Sequence, residues 1–214
     1  MEENNIVMDN QAPAKPKKKK KLATVRAALV CLLVFTLICG VIYPVGVTIV
    51  ANALFPYEAN GSVIEVTLKD GTKKVYGSEL IGQSFENPKY LFGRVNLGSP
   101  SNLSPESEEF KALVSERIAE RKTRLAEVGY TDTKDIPDEL LTSSGSGLDP
   151  HITVNAAYFQ IPAIVKARQS AGEDITEAEV KTIIDNYTEG RFLGIFGTKR
   201  VNVLLVNLAL DGKI

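Results

Sequence analysis

The residues best suited to chemistry lie together in one short segment, Ser143–His151, which contains three serines, an aspartate and the only histidine of the chain. A serine hydroxyl becomes a nucleophile when it is hydrogen-bonded to an imidazole that an acid holds in place. One interpretation of the segment is therefore the active site of a hydrolase, in which Ser146 or Ser144 acts together with His151.

The spacing within this segment argues against a hydrolase. Asp149 and His151 are separated by a single proline, which is an awkward arrangement for an acid that must orient the ring. Ser146 does not lie at the centre of a Gly-x-Ser-x-Gly turn, because Ser144 and Leu148 occupy the positions of the two glycines. The pattern favours a glycine-containing turn before a capped helix, with His151 as a hydrogen-bonding or interface residue.

Two other kinds of site find little support in the sequence. A phosphate-binding loop of the Walker type ends in Gly-Lys-Ser/Thr, whereas Gly147 is followed by Leu-Asp-Pro-His. A structural zinc site built from Cys and His needs about four ligands, and the chain has two cysteines and one histidine. We therefore expect no catalytic residue and no metal site.

A long apolar run precedes all of these residues. No charged residue occurs between Arg26 and Glu58, and about 20 apolar residues suffice to cross a bilayer as a helix. The run predicts a transmembrane helix over residues 27–50, with Pro44 as a position for a kink. The alternative, a cleaved signal peptide, is disfavoured because the apolar core of such a peptide is only about 7–15 residues long.

The charges beside this helix predict its orientation. Seven of the 25 Lys and Arg residues lie within residues 1–26, and basic residues next to a span stay on the cytoplasmic side. We expect a single-pass protein of the cell membrane with a basic cytoplasmic tail (1–26) and an extracytoplasmic domain (58–214). The chain after residue 26 carries 18 basic and 23 acidic residues, so we expect no nucleic-acid binding.

The predicted fold class is α+β, with one N-terminal transmembrane helix followed by a single mixed α+β extracytoplasmic domain. Residues 60–76 predict a β-hairpin, because apolar and polar residues alternate up to a tight Asp-Gly turn. A helix is predicted over residues 104–128, with its charged residues, such as Glu116, Arg117, Glu120 and Arg121, on a solvated face. The path of the loop 94–104 is not fixed by any pattern.

Further elements are predicted toward the C-terminus. A helix over residues 153–167 is interrupted or kinked at Pro162, where the proline removes a backbone donor. The next helix, residues 176–187, begins with the Thr-x-x-Glu pattern of a capping box. Residues 201–210 are so uniformly apolar that helix and strand cannot be separated by periodicity.

Residues 142–152, which include the serine-rich segment, closely resemble the signature of the KdpC family, the C subunits of the Kdp potassium-transporting ATPases. Further blocks resemble the family in the same order, namely residues 58–62, 87–94, 188–191, 200–203 and 207–211. Several long motifs in collinear order are far more specific than one short pattern. The resemblance covers about residues 22–211 and departs at Val95-Asn96-Leu97, where the family usually has Pro-Ser-Ala.

The resemblance implies a subunit of an ATP-driven, high-affinity potassium importer. The implied partners are the channel-like A subunit, the B subunit, which is a P-type ATPase, and the small F subunit. In this family the C subunit is described as a catalytic chaperone, which promotes the use of ATP by the B subunit. We therefore expect a non-catalytic accessory subunit that stabilises the complex, the alternative being a membrane-anchored exported hydrolase that uses Ser146 and His151.

The predicted topology limits what the signature segment can contact. ATP is hydrolysed inside the cell, whereas the charge bias places this segment outside. We therefore expect no cofactor bound directly, with ATP and K+ acting through the complex and any effect on ATP transmitted by the membrane subunits. The family-style motif is instead expected to contact a partner subunit, and its residues are Ser144, Gly145, Ser146, Gly147, Leu148, Asp149, Pro150, His151, Glu189, Gly190, Arg191 and Asn202.

Overall fold

The computed structural model describes residues 18–96, 98–131 and 135–214. The chain divides into two compact units, Met1–Ala59 and Asn60–Ile214. Most of the predicted basic tail, residues 1–17, lies outside the described residues, as does Leu97 of the loop 94–104. The side of the membrane on which each unit lies stays a prediction.

The described part of the first unit is helical except at Phe55. Helix α1 (Lys18–Leu37) passes through a π-helical turn (Ile38–Ile42) into α2 (Tyr43–Leu54), and a short α3 (Pro56–Ala59) follows. The 33 residues Leu22–Leu54 are long and apolar enough to span a membrane. The predicted apolar helix is therefore confirmed, and it extends beyond residues 27–50 at both ends.

The irregularity in this helix precedes the proline at which a kink was predicted. In the π-helical turn the Tyr43 N–H donates to the Ile38 carbonyl, five residues back instead of four. Pro44 follows directly and has no N–H to donate to Gly40, whose carbonyl its ring would also crowd in a regular α-helix. The wider turn thus lies where the proline would disturb the regular pattern of hydrogen bonds.

The second unit begins with the predicted hairpin. Strands β1 (Val63–Thr67) and β2 (Lys73–Ser78) pair antiparallel, and the turn between them contains Gly71 at φ +81°. The Asp70 carboxylate accepts a hydrogen bond from the Thr72 N–H at 3.0 Å. This aspartate–glycine turn confirms the sequence-based interpretation.

Helix α4 (Glu108–Glu127) follows a long loop. It begins later than predicted because Ser107, and not Ser104, is its N-cap and accepts a hydrogen bond from the Phe110 N–H at 3.2 Å. A 3-10 turn (Asp138–Leu140) then precedes the signature segment.

The remaining helices surround a small sheet. Strands β3 (His151–Thr153), β4 (Thr188–Glu189) and β5 (Arg200–Asn202) form an antiparallel sheet with β5 in the centre. The predicted interruption near Pro162 is confirmed, since α5 (Val154–Phe159) ends and α6 (Ile161–Ser170) begins on either side of Gln160. Helix α7 (Glu177–Asn186) has the predicted capping box between Thr176 and Glu179.

The apolar stretch 201–210 is both strand and helix. After β5 the Asn202 side chain caps α8 (Val203–Leu210) by accepting a hydrogen bond from the Leu205 N–H at 3.2 Å. Six of the eight residues of α8 are buried, as expected of a helix that is apolar on all sides. The buried Asn207 satisfies both its donor and its acceptor by bonding the backbone of Leu91, at 3.0 and 2.7 Å.

One buried arginine connects four segments of this unit. The Arg168 side chain is 1% exposed and pairs with Asp211 at 2.9 Å and with Glu173 at 2.7 Å. It also donates to the carbonyls of Lys89 and Leu210, at 3.0 and 2.9 Å. Burial would raise the pKa of the Asp211 carboxyl, but hydrogen bonds from Arg168 and from a tyrosine outweigh it and lower the pKa below its usual value.

Candidate functional site

The signature segment forms a compact turn between the 3-10 turn and β3. The Oγ atoms of Ser144 and Ser146 are 3.2 Å apart, and the Gly147 N–H donates to the Ser144 carbonyl at 3.1 Å. Each serine Oγ also accepts a backbone N–H, Ser144 from Asp149 at 3.3 Å and Ser146 from Leu148 at 3.2 Å. The serines thus hold the shape of the turn.

Two loops pack closely against this turn. The Gly82 N–H donates to the Leu148 carbonyl at 2.7 Å, and a Cβ atom at Gly82 would lie 2.6 Å from the Asp149 carbonyl oxygen. On the other side Gly147, at φ +70°, lies against the backbone of Ser99, where a Cβ atom would meet the carbonyl oxygen at 2.4 Å. Glycine at these positions permits the close approach of the three backbones.

His151 lies at the start of β3 between two carboxylates. Its Nδ1 is 3.4 Å from Asp149 Oδ1, and its Nε2 is 3.3 Å from Glu189 Oε1 on β4. The other Glu189 oxygen is held by Arg200 of β5, at 2.7 Å from Nε and 2.6 Å from Nη2. The sheet therefore brings together residues that the sequence places about 40 apart.

This geometry does not support the hydrolase interpretation. Both ring nitrogens of His151 face carboxylates, and among the described residues it makes no hydrogen bond to a serine. The two candidate nucleophiles, Ser144 and Ser146, bond to each other and to backbone N–H groups. A nucleophilic serine needs the imidazole as its hydrogen-bond partner, and that pairing is not formed here.

The other predicted motif residues lie in two different settings. Asn202 is buried and donates from its side chain to the Glu79 carbonyl at 2.9 Å, so it has a structural position beside the signature turn. Pro150 is joined to the same region, since its carbonyl accepts the Val203 N–H at 3.1 Å. By contrast, Gly190 and Arg191 are exposed and lead away from the sheet.

An exposed loop directly after Arg191 was missed by the sequence-based reasoning. We call residues 192–196 the apolar loop; the exposed fractions are 72% for Phe192, 74% for Leu193, 73% for Ile195 and 63% for Phe196. Two backbone hydrogen bonds between Phe192 and Phe196, at 2.9 and 3.0 Å, close the loop. The signal in the sequence was a group of four large apolar residues interrupted by a glycine, which neither strand nor helix periodicity explains.

The prediction of a solvated face on α4 was right for Glu116 and Glu120, which are exposed, and wrong for Arg117 and Arg121, which are half-buried. Arg117 donates to the Leu141 carbonyl at 2.8 Å, and Arg121 donates to the Leu140 carbonyl at 3.2 Å. These carbonyls lie at the end of the 3-10 turn, where the backbone lacks helical partners. Long side chains can cover apolar surface with their stems while the charged ends bond elsewhere, and periodicity alone does not reveal this.

The His, Cys, Asp and Glu side chains in the described part of the chain do not form a metal centre. No group of three or more His, Cys, Asp or Glu side chains suited to a metal ion occurs there. Cys31 and Cys39 are free thiols in the apolar helix. What the arrangement around β3 can do is to hold the signature turn in one shape, while the loop between β4 and β5 exposes apolar side chains.

Comparisons with known proteins agree with the resemblance carried by the motifs. The family described as "KdpC: K+-transporting ATPase, c chain" matches residues 25–212. The potassium-transporting ATPase KdpC subunit of Clostridium perfringens is 50% identical over 204 residues, covering 88% of this chain and 96% of that protein. The KdpC subunit of Listeria welshimeri is 46% identical, and the match covers 87% of this chain and 94% of that protein. The KdpC subunit of Clostridium botulinum strain Eklund 17B is 43% identical, and the match covers 86% of this chain and 94% of that protein. A match of this extent shows that the chain belongs to the KdpC family, the c chains of K+-transporting ATPases.

Proposed function

We propose that this chain is a non-catalytic accessory subunit of the Kdp K+-transporting ATPase, anchored by one helix with its second unit outside the cell. Family membership makes it a component of the Kdp complex. The orientation rests on the lysines before the apolar helix, because basic residues beside a span favour the cytoplasmic side. The second unit then docks on the external face of the A and B subunits, and the small F subunit completes the complex.

The observation that carries this proposal is the apolar loop. Exposed apolar patches are uncommon on monomeric proteins and mark interaction sites. The loop is closed by its own backbone hydrogen bonds, so it presents Phe192 and Phe196 with little ordering cost on binding. A subunit of a larger complex requires such a surface, and we assign it to contact with a partner Kdp subunit.

In this proposal ATP and K+ act through the complex. In the signature turn Ser144 and Ser146 accept backbone hydrogen bonds, and His151 contacts two carboxylates. These contacts suit residues that maintain the shape of a docking surface. Promotion of ATP use by the B subunit is then allosteric. It requires that this chain contact two states of the pump with different free energies.

The docking role predicts that polar substitutions in the apolar loop impair assembly of the complex without unfolding the subunit. Phe192→Gln combined with Phe196→Gln should lower recovery of the complex by about tenfold or more, because buried aromatic anchors dominate interface energies. Stability of the isolated chain should change by less than about 0.5 kcal/mol, since both side chains are exposed in it. The measurement is co-purification from membranes with a tagged A subunit.

The control for this prediction is Val75→Gln, because Val75 is 61% exposed on β2 and lies outside the apolar loop. It should leave co-purification at the level of the parent chain. Full recovery of the complex with the double variant would remove the apolar loop from the interface.

The orientation is tested by labelling a cysteine in the signature turn. Ser144 is only 9% exposed, whereas Gly145 is exposed and a Cβ atom there would have no neighbour within 4 Å. Gly145→Cys, in a chain whose Cys31 and Cys39 are replaced by alanine, should react with a membrane-impermeant maleimide in intact cells. A cysteine at Asn10 is the matched control and should react only after lysis; the reverse pattern would favour direct contact with nucleotide.

A further inference from the structure

A cleft of about 200 Å³ lies between α4 and the loops on either side of Phe92. One wall is the face of α4 that carries Arg117, Arg121 and Arg124, and the other is formed by residues 83–86 and 93–96. Four arginines line the cleft, counting Arg94, against two glutamates, Glu86 and Glu120. The cleft is therefore positively charged, although residues 27–214 as a whole carry more acidic than basic residues.

Three of these guanidinium groups are held in place by backbone carbonyls within residues 140–143. Arg121 and Arg117 bond the carbonyls of Leu140 and Leu141, as described above, and Arg94 Nη2 donates to the Ser143 carbonyl at 3.2 Å. The Arg121 guanidinium also lies 4.5 Å from the centre of the Phe92 ring. A guanidinium has five N–H donors, and each of these hydrogen bonds uses only one of them.

The positive charge of the cleft is only partly compensated. Arg124 pairs with Glu120 at 2.6 Å. The Nε atom of Arg94 is buried and has no hydrogen-bond partner in the described part of the chain, which is costly for a charged group. Burial, together with the neighbouring Arg124 and Arg117, lowers the pKa of Arg121 to about 10.

Support of the backbone at residues 140–143 does not account for the whole cluster. It explains one N–H each of Arg117, Arg121 and Arg94, but it leaves the buried Nε of Arg94 unused. It also does not explain why Arg124 adds a fourth positive charge to the same small space. An anion in the cleft would accept hydrogen bonds from the remaining N–H groups of the guanidinium groups that line it, and it would relieve the repulsion among their charges.

We propose that this cleft binds a phosphate-class oxyanion, either free phosphate or the phosphate group of a larger molecule. Planar guanidinium groups bind phosphate oxygens through paired hydrogen bonds, and arginines already fixed by other contacts lose little freedom on binding. The occupied cleft would join α4 to residues 93–96, and through Arg94 to the start of the signature turn. Occupancy would therefore stabilise the signature turn.

The test uses the full-length chain purified in a zwitterionic detergent. Inorganic phosphate should raise the thermal unfolding midpoint more than chloride at equal ionic strength, and its affinity is then measured by calorimetric titration. Arg94→Gln and, separately, Arg124→Gln should each weaken phosphate binding by about tenfold, since each removes a charge-assisted hydrogen-bond donor. Arg124 lies at the rim, so its replacement tests the site even if Arg94→Gln unfolds the chain.

Lys122→Gln is the matched control, because Lys122 is exposed on the same helix and its replacement removes the same charge without touching the cleft. It should bind phosphate as the parent chain does. Equal stabilisation by phosphate and chloride, or equal binding by the Arg124→Gln and Lys122→Gln variants, would overturn the proposal.

Two further measurements identify the source of the phosphate group. In nanodiscs of phosphatidylcholine alone, phosphate should bind as in detergent. If phosphatidic acid added to the nanodiscs reduces that binding in the parent chain but not in the Arg124→Gln variant, the natural ligand is a lipid headgroup. If phosphatidic acid has no effect while phosphate still binds, the ligand is a soluble phosphate. These phosphate-binding measurements do not depend on the docking proposal. If substitutions in the apolar loop leave assembly of the complex unchanged, the conclusion about the arginine cleft still stands.

Discussion

Replacing Gly147 by alanine is expected to destabilise the Asn60–Ile214 unit by about 2–5 kcal/mol. The left-handed conformation at φ +70° costs a residue with a side chain about 1–2 kcal/mol. The new methyl group would also lie 2.4 Å from the Ser99 carbonyl oxygen, and such overpacking costs about 1–3 kcal/mol because the backbone must move. Urea unfolding of the full-length chain, followed by far-UV circular dichroism, measures the difference.

The same turn supplies the control. Gly145 is exposed, does not have a positive φ, and has no atom within 4 Å of the position of a Cβ. Gly145→Ala should therefore change the free energy of unfolding by less than about 0.5 kcal/mol. Equal effects of the two substitutions would mean that the turn does not pack against the loop containing Ser99.

Replacing Arg168 by methionine is expected to cost about 3–5 kcal/mol, as breaking a buried ion pair does. Methionine fills much of the same space, so the loss comes mainly from hydrogen bonds. The carbonyls of Lys89 and Leu210 each lose a charged donor, and unsatisfied buried groups are costly. The acidic partners contribute less, because the side chains of Glu173 and Asp211 are 40% and 26% exposed and regain water.

An exposed arginine ion pair provides the comparison for Arg168. Arg200 donates from Nε and Nη2 to one carboxylate oxygen of Glu189, but its side chain is 56% exposed, and exposed pairs contribute about 0–1 kcal/mol. Arg200→Met should therefore shift the urea midpoint only slightly in the same unfolding experiment. A small effect of Arg168→Met would show that its four partners find other donors.

The local elements were predictable because short-range rules fix them. The capping box at Thr176, the hairpin turn at Asp70 and the break at Pro162 each depend on the chemistry of a few adjacent residues. Residues 201–210 were not predictable in this way. There the decision between strand and helix depends on Asn202, whose side chain caps the helix while its backbone pairs with His151 on β3.

The arrangement around the signature segment could be predicted only in part. The glycine turn follows from Gly145 and Gly147, and the spacing of Asp149 and His151 argues against a serine hydrolase. The contact of His151 with Glu189 does not, because it joins two strands that are neighbours only through β5. The arginine cleft was missed because an amphipathic pattern separates apolar from polar residues but does not identify polar residues that face the protein.

The π-helical turn at Ile38–Ile42 also has a geometric consequence for the apolar helix. A wide turn adds about one residue to the helical repeat, and one residue corresponds to a rotation of about 100°. The stripe of side chains on one side of α1 is therefore out of phase with its continuation on α2. A neighbouring straight helix that follows one stripe on α1 would meet a different stripe beyond Tyr43, so the two halves of the apolar helix present different side chains on the same side.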